Sequence, residues 1–83
     1  MTQAERIFER FGGARRLASA LKALAEHTGD PTRARNVATI YKWTYPRSKG
    51  GTGGYVPSSA MDDVKAAARL SGLLLRPEDW YGE

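Results

Sequence analysis

The stretch from Ala14 to Ala25 constrains this chain most. Ala14, Leu17, Ala18, Leu21, Leu24 and Ala25 recur without interruption at i, i+3, i+4 and i+7 spacing. That period belongs to a helix with one apolar face. Arg15, Arg16, Ser19 and Lys22 fall on its other face. A chain of 83 residues has room for one core, so every other segment must pack on this stripe. Hydrophobic residues make up 41% and charged residues 27%, which suits a globular domain. A single domain over residues 1–83 is the expectation.

The flanking segments supply the packing partners. Thr2-Gln3-Ala4-Glu5 has the Thr-x-x-Glu pattern of a capping box. Ala4, Ile7, Phe8 and Phe11 follow at helical spacing, and Gly12-Gly13 stops that helix. Thr28-Gly29 ends the Ala/Leu helix. Asp30-Pro31 is a helix-start signal, and Asn36 is a second candidate N-cap. The third helix therefore begins at Pro31 or at Asn36 and runs to about Trp43. The favoured reading is a short turn at 31–35 followed by the helix proper. Residues 44–56 hold four glycines and a proline and cannot be helical. They leave two outcomes open: a β-hairpin tipped by Lys49-Gly50-Gly51, pinned by Tyr45 and Tyr55, or a disordered loop. Pro57-Ser58-Ser59 opens a fourth helix whose inward positions are Ala60, Met61, Val64, Ala67 and Ala68, with Gly72 at its end. Leu73, Leu74 and Leu75 are expected to cap the core. Residues 76–81 read as a final helical turn packed by Trp80. The expected fold class is mainly α, a four-to-five-helix helix-turn-helix domain with a two-stranded β-hairpin wing as an option.

Several function classes drop out on inventory. The chain has no cysteine and a lone His27, so neither a disulfide framework nor a cysteine zinc site can form. No cofactor or metal is expected. Asp62 and Asp63 occupy successive helical positions and do not face a common cleft, so no enzyme is expected. Gly50-Gly51-Thr52-Gly53-Gly54 lacks the Gly-Lys-Ser/Thr that opens a phosphate-binding helix. No apolar run approaches a membrane span, and the N-terminal residues lack the basic and apolar regions of a secretory signal. A cytoplasmic protein with no membrane or small-molecule partner is the expectation.

Charge supplies the positive clue. The net charge is +4, and it is unevenly spread. Residues 1–61 hold ten Lys/Arg against four Asp/Glu, a balance of +6, while residues 62–83 hold three against five, a balance of −2. From Pro31 to Met61 the chain carries Arg33, Arg35, Lys42, Arg47 and Lys49 and no acid. A local positive field attracts phosphate; a generic basic surface is the bland alternative. The segments around this field suit a helix-turn-helix built from Phe11–Leu24 and Asn36–Trp43. Its first helix braces the second, and the second lies in the major groove of DNA. Ala18 is small enough for a close helix crossing. Ile40 and Trp43 face inward, and Arg35, Asn36, Thr39 and Lys42 carry polar reach. Trp43 and Trp80 are read as core rather than as base-stacking residues.

Phe11-Gly12-Gly13, Leu17-Ala18-x-x-Leu21, Ile40-x-x-Trp43, Val56-Pro57 and Pro77-Glu78-Asp79-Trp80, in that order, resemble the Cro/repressor-like regulators of phages and prophages. The gaps from Leu21 to Ile40 and from Trp43 to Val56 are longer than is usual in that family. The second suggests a basic wing beside the third helix. The resemblance implies sequence-specific binding of double-stranded DNA in transcriptional control, by a homodimer on a two-fold site. Arg15 and Arg16, with Arg47 and Lys49, are then candidate phosphate contacts; Arg33, Arg35, Asn36, Thr39 and Lys42 complete the candidate DNA-binding set. Two rivals stand beside this reading: an excisionase-like architectural winged-helix protein, and a protein-interaction module with no nucleic-acid partner.

Overall fold

Thr2 starts the first helix as the sequence pattern requires. Its hydroxyl accepts from the Glu5 amide at 3.2 Å, and the Glu5 carboxylate accepts from the Thr2 amide at 3.0 Å. The Thr2 amide first, and then the Thr2 hydroxyl, hold the Glu5 carboxyl below its ordinary range. The computed structural model describes residues 2–81. Four helices and a terminal helical turn follow one another as α1 (Gln3–Phe11), α2 (Ala14–Thr28), α3 (Val37–Tyr41), α4 (Ser58–Leu70) and α5 (Pro77–Tyr81). Single 3₁₀ turns at Pro31–Arg33, Lys42–Thr44 and Arg47–Lys49 fill the connections.

The Ala/Leu stripe of α2 is the centre of the core. Leu17 and Leu21 are fully buried, together with Ile7 of α1, Ile40 of α3 and Val64 of α4. Burying a side chain of this size contributes roughly 1.5–3 kcal/mol. Trp43 and Trp80 are 3% and 7% exposed, so both indoles belong to the interior. α2 packs along α4 and also carries α3 and α1, while α5 closes against α1. Gln3 ties the ends together. Its side chain is buried, donates to the Trp80 carbonyl at 2.7 Å and accepts from the Val56 amide at 2.8 Å. Beside it, Asp79 accepts from Arg10 Nε at 3.0 Å and from the Arg76 amide at 2.9 Å. Burial pushes the Asp79 carboxyl up, but the Arg76 amide and the Arg10 guanidinium outweigh it and leave the pKa below the ordinary aspartate range.

Two expectations need correction. Among the described residues there is no β-strand, and residues 44–56 form no wing. Their backbone turns inward instead. The Thr52 amide donates to the Lys42 carbonyl, Gly53 to Tyr45 and Gly54 to Trp43, at 3.3, 2.9 and 2.8 Å. The Thr52 hydroxyl lies 2.9 Å from the Trp43 carbonyl and accepts from the Tyr55 amide. These bonds fold the loop onto the end of α3, so its donors are spent on 3₁₀ carbonyls rather than on a partner strand. Tyr45 and Tyr55, read as pins for a hairpin, are 44% and 60% exposed. Without a wing, the winged-helix alternative loses its basis. The second correction concerns Leu73–Leu75. Leu75 packs against the core, but Leu74 is 73% exposed, because the chain leaves α4 through Gly72 and passes over the surface.

The loop depends on one close approach. A Cβ on Gly51 would lie 2.2 Å from the Tyr45 carbonyl oxygen and 2.5 Å from that of Lys42. Gly51→Ala is therefore expected to cost about 1–3 kcal/mol as an overpacked site. Gly50→Ala meets open space and carries only the strain of its positive φ of 79°, about 1–2 kcal/mol. Denaturant unfolding of both variants checks the order; Gly50→Ala costing more than Gly51→Ala would contradict this account of the loop.

Candidate nucleic-acid interface

The interface is built from the approach to α3. Asp30 caps the 3₁₀ turn at Pro31–Arg33, its carboxylate accepting from the Thr32 amide at 3.0 Å and from the Thr32 hydroxyl. The hydroxyl first and then the amide hold the Asp30 carboxyl below its ordinary range. Asn36 then caps α3, its side-chain oxygen accepting from the Thr39 amide at 2.8 Å. The helix thus starts after Asn36, with a short turn before it. Ile40 and, two residues beyond α3, Trp43 anchor the inner side, and Ala38, Thr39, Tyr41 and Lys42 are exposed on the outer one. The Phe8 ring braces that anchor, edge-on to Tyr41 at 6.5 Å between centroids and tilted against Trp43 at 6.3 Å.

The structure separates the basic candidates into three groups. Arg33 and Arg35 face Asp63 in the first turns of α4. Arg35 Nη1 donates to Asp63 at 2.9 Å and to the Arg33 carbonyl at 2.8 Å, and Arg35 Nη2 donates to the Ser59 carbonyl at 3.3 Å. Arg33 Nε lies 3.8 Å from Asp63 and 3.7 Å from Asp30. These two guanidinium groups clamp the turn before α3 to α4. The second group lies along α2 and α3. Ser19 and Lys22 meet Asn36 and Val37 across an open depression of about 480 Å³, and Arg15 precedes Ser19 by one turn on the same stripe of α2. Past the far end of α3, Arg47 and Lys49 lie on the loop whose backbone returns to the Lys42, Trp43 and Tyr45 carbonyls at residues 52–54. Among the described residues, none of Arg15, Lys22, Lys42, Arg47 and Lys49 has an ion-pair partner. Arg16 forms the third group alone. It lines a second groove with Phe11, Ala20 and Leu73, which meets the first depression at Ser19.

This surface can neutralise phosphate at both ends of α3 and offer short polar side chains between them. The Asn36 oxygen is already engaged as a cap, which leaves its amide NH₂ and a remaining lone pair for a ligand. Ser19, Lys22 and Tyr41 were not among the sequence candidates. Ser19 and Lys22 could have been found by extending the polar face of α2 past Arg15 at i+4 and i+7. Tyr41 follows from noting that Ile40 and Trp43 leave it on the outer side. Among the described residues, no group of His, Cys, Asp or Glu could hold a metal ion, and no helix is long and apolar enough to cross a membrane. No family model, curated protein or solved structure matches the chain.

The clamp is testable by stability alone. Asp63 and Arg35 side chains are 16% and 19% exposed, and a charge-assisted hydrogen bond in such a setting contributes about 1.5–3 kcal/mol. Asp63→Asn is expected to lose about that much in denaturant unfolding, whereas Asp62→Asn, on the exposed neighbour, should stay within about 0.5 kcal/mol of the parent. Equal effects of the two substitutions would remove the clamp from the account.

Proposed function

We propose that this chain binds double-stranded DNA through the α2–α3 face and acts as a sequence-specific transcriptional regulator of phage or prophage type. The observation that carries the reading is the sorting of charge. Asp30 and Asp63 are engaged with Arg33 and Arg35, while, among the described residues, Arg15, Lys22, Lys42, Arg47 and Lys49 have no ion-pair partner. Unpaired cations flanking a short exposed helix are what phosphate contacts on either side of a groove require. In this reading α2 lies across the backbone and α3 presents Asn36, Thr39 and Tyr41 to base edges in the major groove. The ordered motifs that resemble Cro/repressor-like regulators support the same assignment, and that resemblance would make the active form a homodimer.

Affinity and specificity separate in the expected behaviour. Lys22→Ala and Lys42→Ala should each weaken binding to all duplexes and reduce the log–log salt slope by about 0.9. Thr39→Ala should cost about 1–3 kcal/mol on the preferred site and little on random DNA. Arg35→Ala should act through stability. Fluorescence anisotropy on labelled duplexes at several salt concentrations, after selection of a preferred site from random DNA, reads the first three, and denaturant unfolding reads Arg35→Ala. Duplex binding without salt dependence, or a slope unmoved by Lys22→Ala and Lys42→Ala, would defeat the proposal and leave the protein-interaction reading.

A further inference from the structure

The surface where α2 meets the chain leaving α4 has a different chemistry. Gly72 ends α4 in the left-handed conformation, with φ of 72°, and the Leu73 amide returns to the Ala68 carbonyl at 2.8 Å. This closure throws Leu73–Leu75 across the surface. Leu73 becomes a ridge between two open grooves of about 430 and 420 Å³. The first has Phe11, Ala20 and the aliphatic stem of Arg16 in its wall; the second has Leu74, Pro77 and Trp80. Leu70 and Leu74 stand 43% and 73% exposed beside them.

The rim is basic. Arg16 borders the first groove, and Lys65, Arg69 and Arg76 border the second, with Lys65 Nζ held 5.3 Å over the Trp80 ring. None of the residues lining either groove is acidic. Arg10, also at the first groove, is already held by Asp79.

From this combination we infer that the Leu73 ridge docks an acidic amphipathic helix of a partner protein, with apolar side chains seated in the two grooves and carboxylates on Arg16, Arg69 and Arg76. Charge complementarity selects this occupant. A second copy in a two-fold contact presents the same patch, and so sets one basic rim against another. Nucleic acid offers phosphate to the rim and nothing to bury Leu73 and Leu74. A helix laid in an apolar groove, read by anchors at i, i+3, i+4 and i+7, satisfies both parts at once. The ridge and the α2–α3 face meet at Ser19, but the residues that argue for docking, Leu73, Leu74, Arg16, Arg69 and Arg76, lie outside the α2–α3 depression, so this inference does not rest on DNA binding.

The probe is a synthetic peptide with leucines at i, i+3, i+4 and i+7 and glutamates between them, added to the isotopically labelled full chain and followed by amide chemical shifts. Saturable binding is expected, with the largest shifts at Phe11, Ala20 and Leu73–Leu75. A scrambled peptide of equal composition should bind more weakly. Leu74→Asp and Arg69→Glu should each weaken binding at least about tenfold. Both side chains are exposed, so the variants should keep the parent melting temperature and, for Leu74→Asp, the parent duplex affinity. No saturable binding would overturn the inference. So would shifts confined to the α3 face, or indifference to Leu74→Asp. Self-association that Leu74→Asp abolishes in place of peptide binding would assign the ridge to a second copy, and binding of anionic vesicles but not of the peptide would assign it to a lipid surface.

Discussion

Asp63 holds the part of this molecule that cannot hold itself. α3 is a single five-residue helix, far too short to form from its own propensity. Two buried side chains, Ile40 and Trp43, fix its inner side, and the Asn36 cap fixes its first turn. Neither determines where the segment before it runs. The carboxylate of Asp63 does so by drawing Arg33 and Arg35 onto the first turns of α4, which α2 in turn supports across the core. The same contact has an electrostatic consequence. It takes two guanidinium groups out of the surface field, and among the described residues it leaves Arg15, Lys22, Lys42, Arg47 and Lys49 as the cations without an ion pair on α2, α3 and the loop after α3.

The loop from Tyr45 to Tyr55 completes that arrangement by an unexpected route. A hairpin would have extended away from the helices. The observed backbone instead closes on the carbonyls of Lys42, Trp43 and Tyr45, and Gly51 lets it approach them without a side chain in the way. Arg47 and Lys49 are thereby kept beside the end of α3. At the other end of the loop, the Gly54 carbonyl accepts from the Ala4 amide at 2.9 Å, and Gln3 takes up the Val56 amide. α1 and α5 thus brace the loop that braces α3.

Much of the helical frame could be read from the chain because its signals are local. The α2 stripe, the Thr2–Glu5 box, the Asp30-Pro31 turn, the Asn36 cap and the Gly72 stop each involve residues within a turn or two of one another. The site was less legible because its decisive contacts are not local. Asp63 lies 28 residues from Arg35, and no spacing rule connects them, so nothing in the sequence set Arg33 and Arg35 apart from the candidates on α3. Adjacent Arg15 and Arg16 were candidates together at the start of α2, yet one step of helical rotation turns them to different sides of it. The loop misled in another way. Its strand-prone flanks favour a hairpin locally, whereas the acceptors that captured it are carbonyls of the 3₁₀ turn just before it.

The central claim is that the unpaired cations around α3, and not the basic groups elsewhere, form a DNA-binding face. Amide chemical-shift mapping of the full chain titrated with duplex DNA tests it most directly. The account predicts salt-sensitive perturbations concentrated at Ser19, Lys22, Asn36, Thr39 and Lys42 and in the loop around Arg47 and Lys49, with Leu73–Leu75 unmoved. Perturbations centred on the Leu73 ridge, or spread evenly over every basic residue, would contradict it.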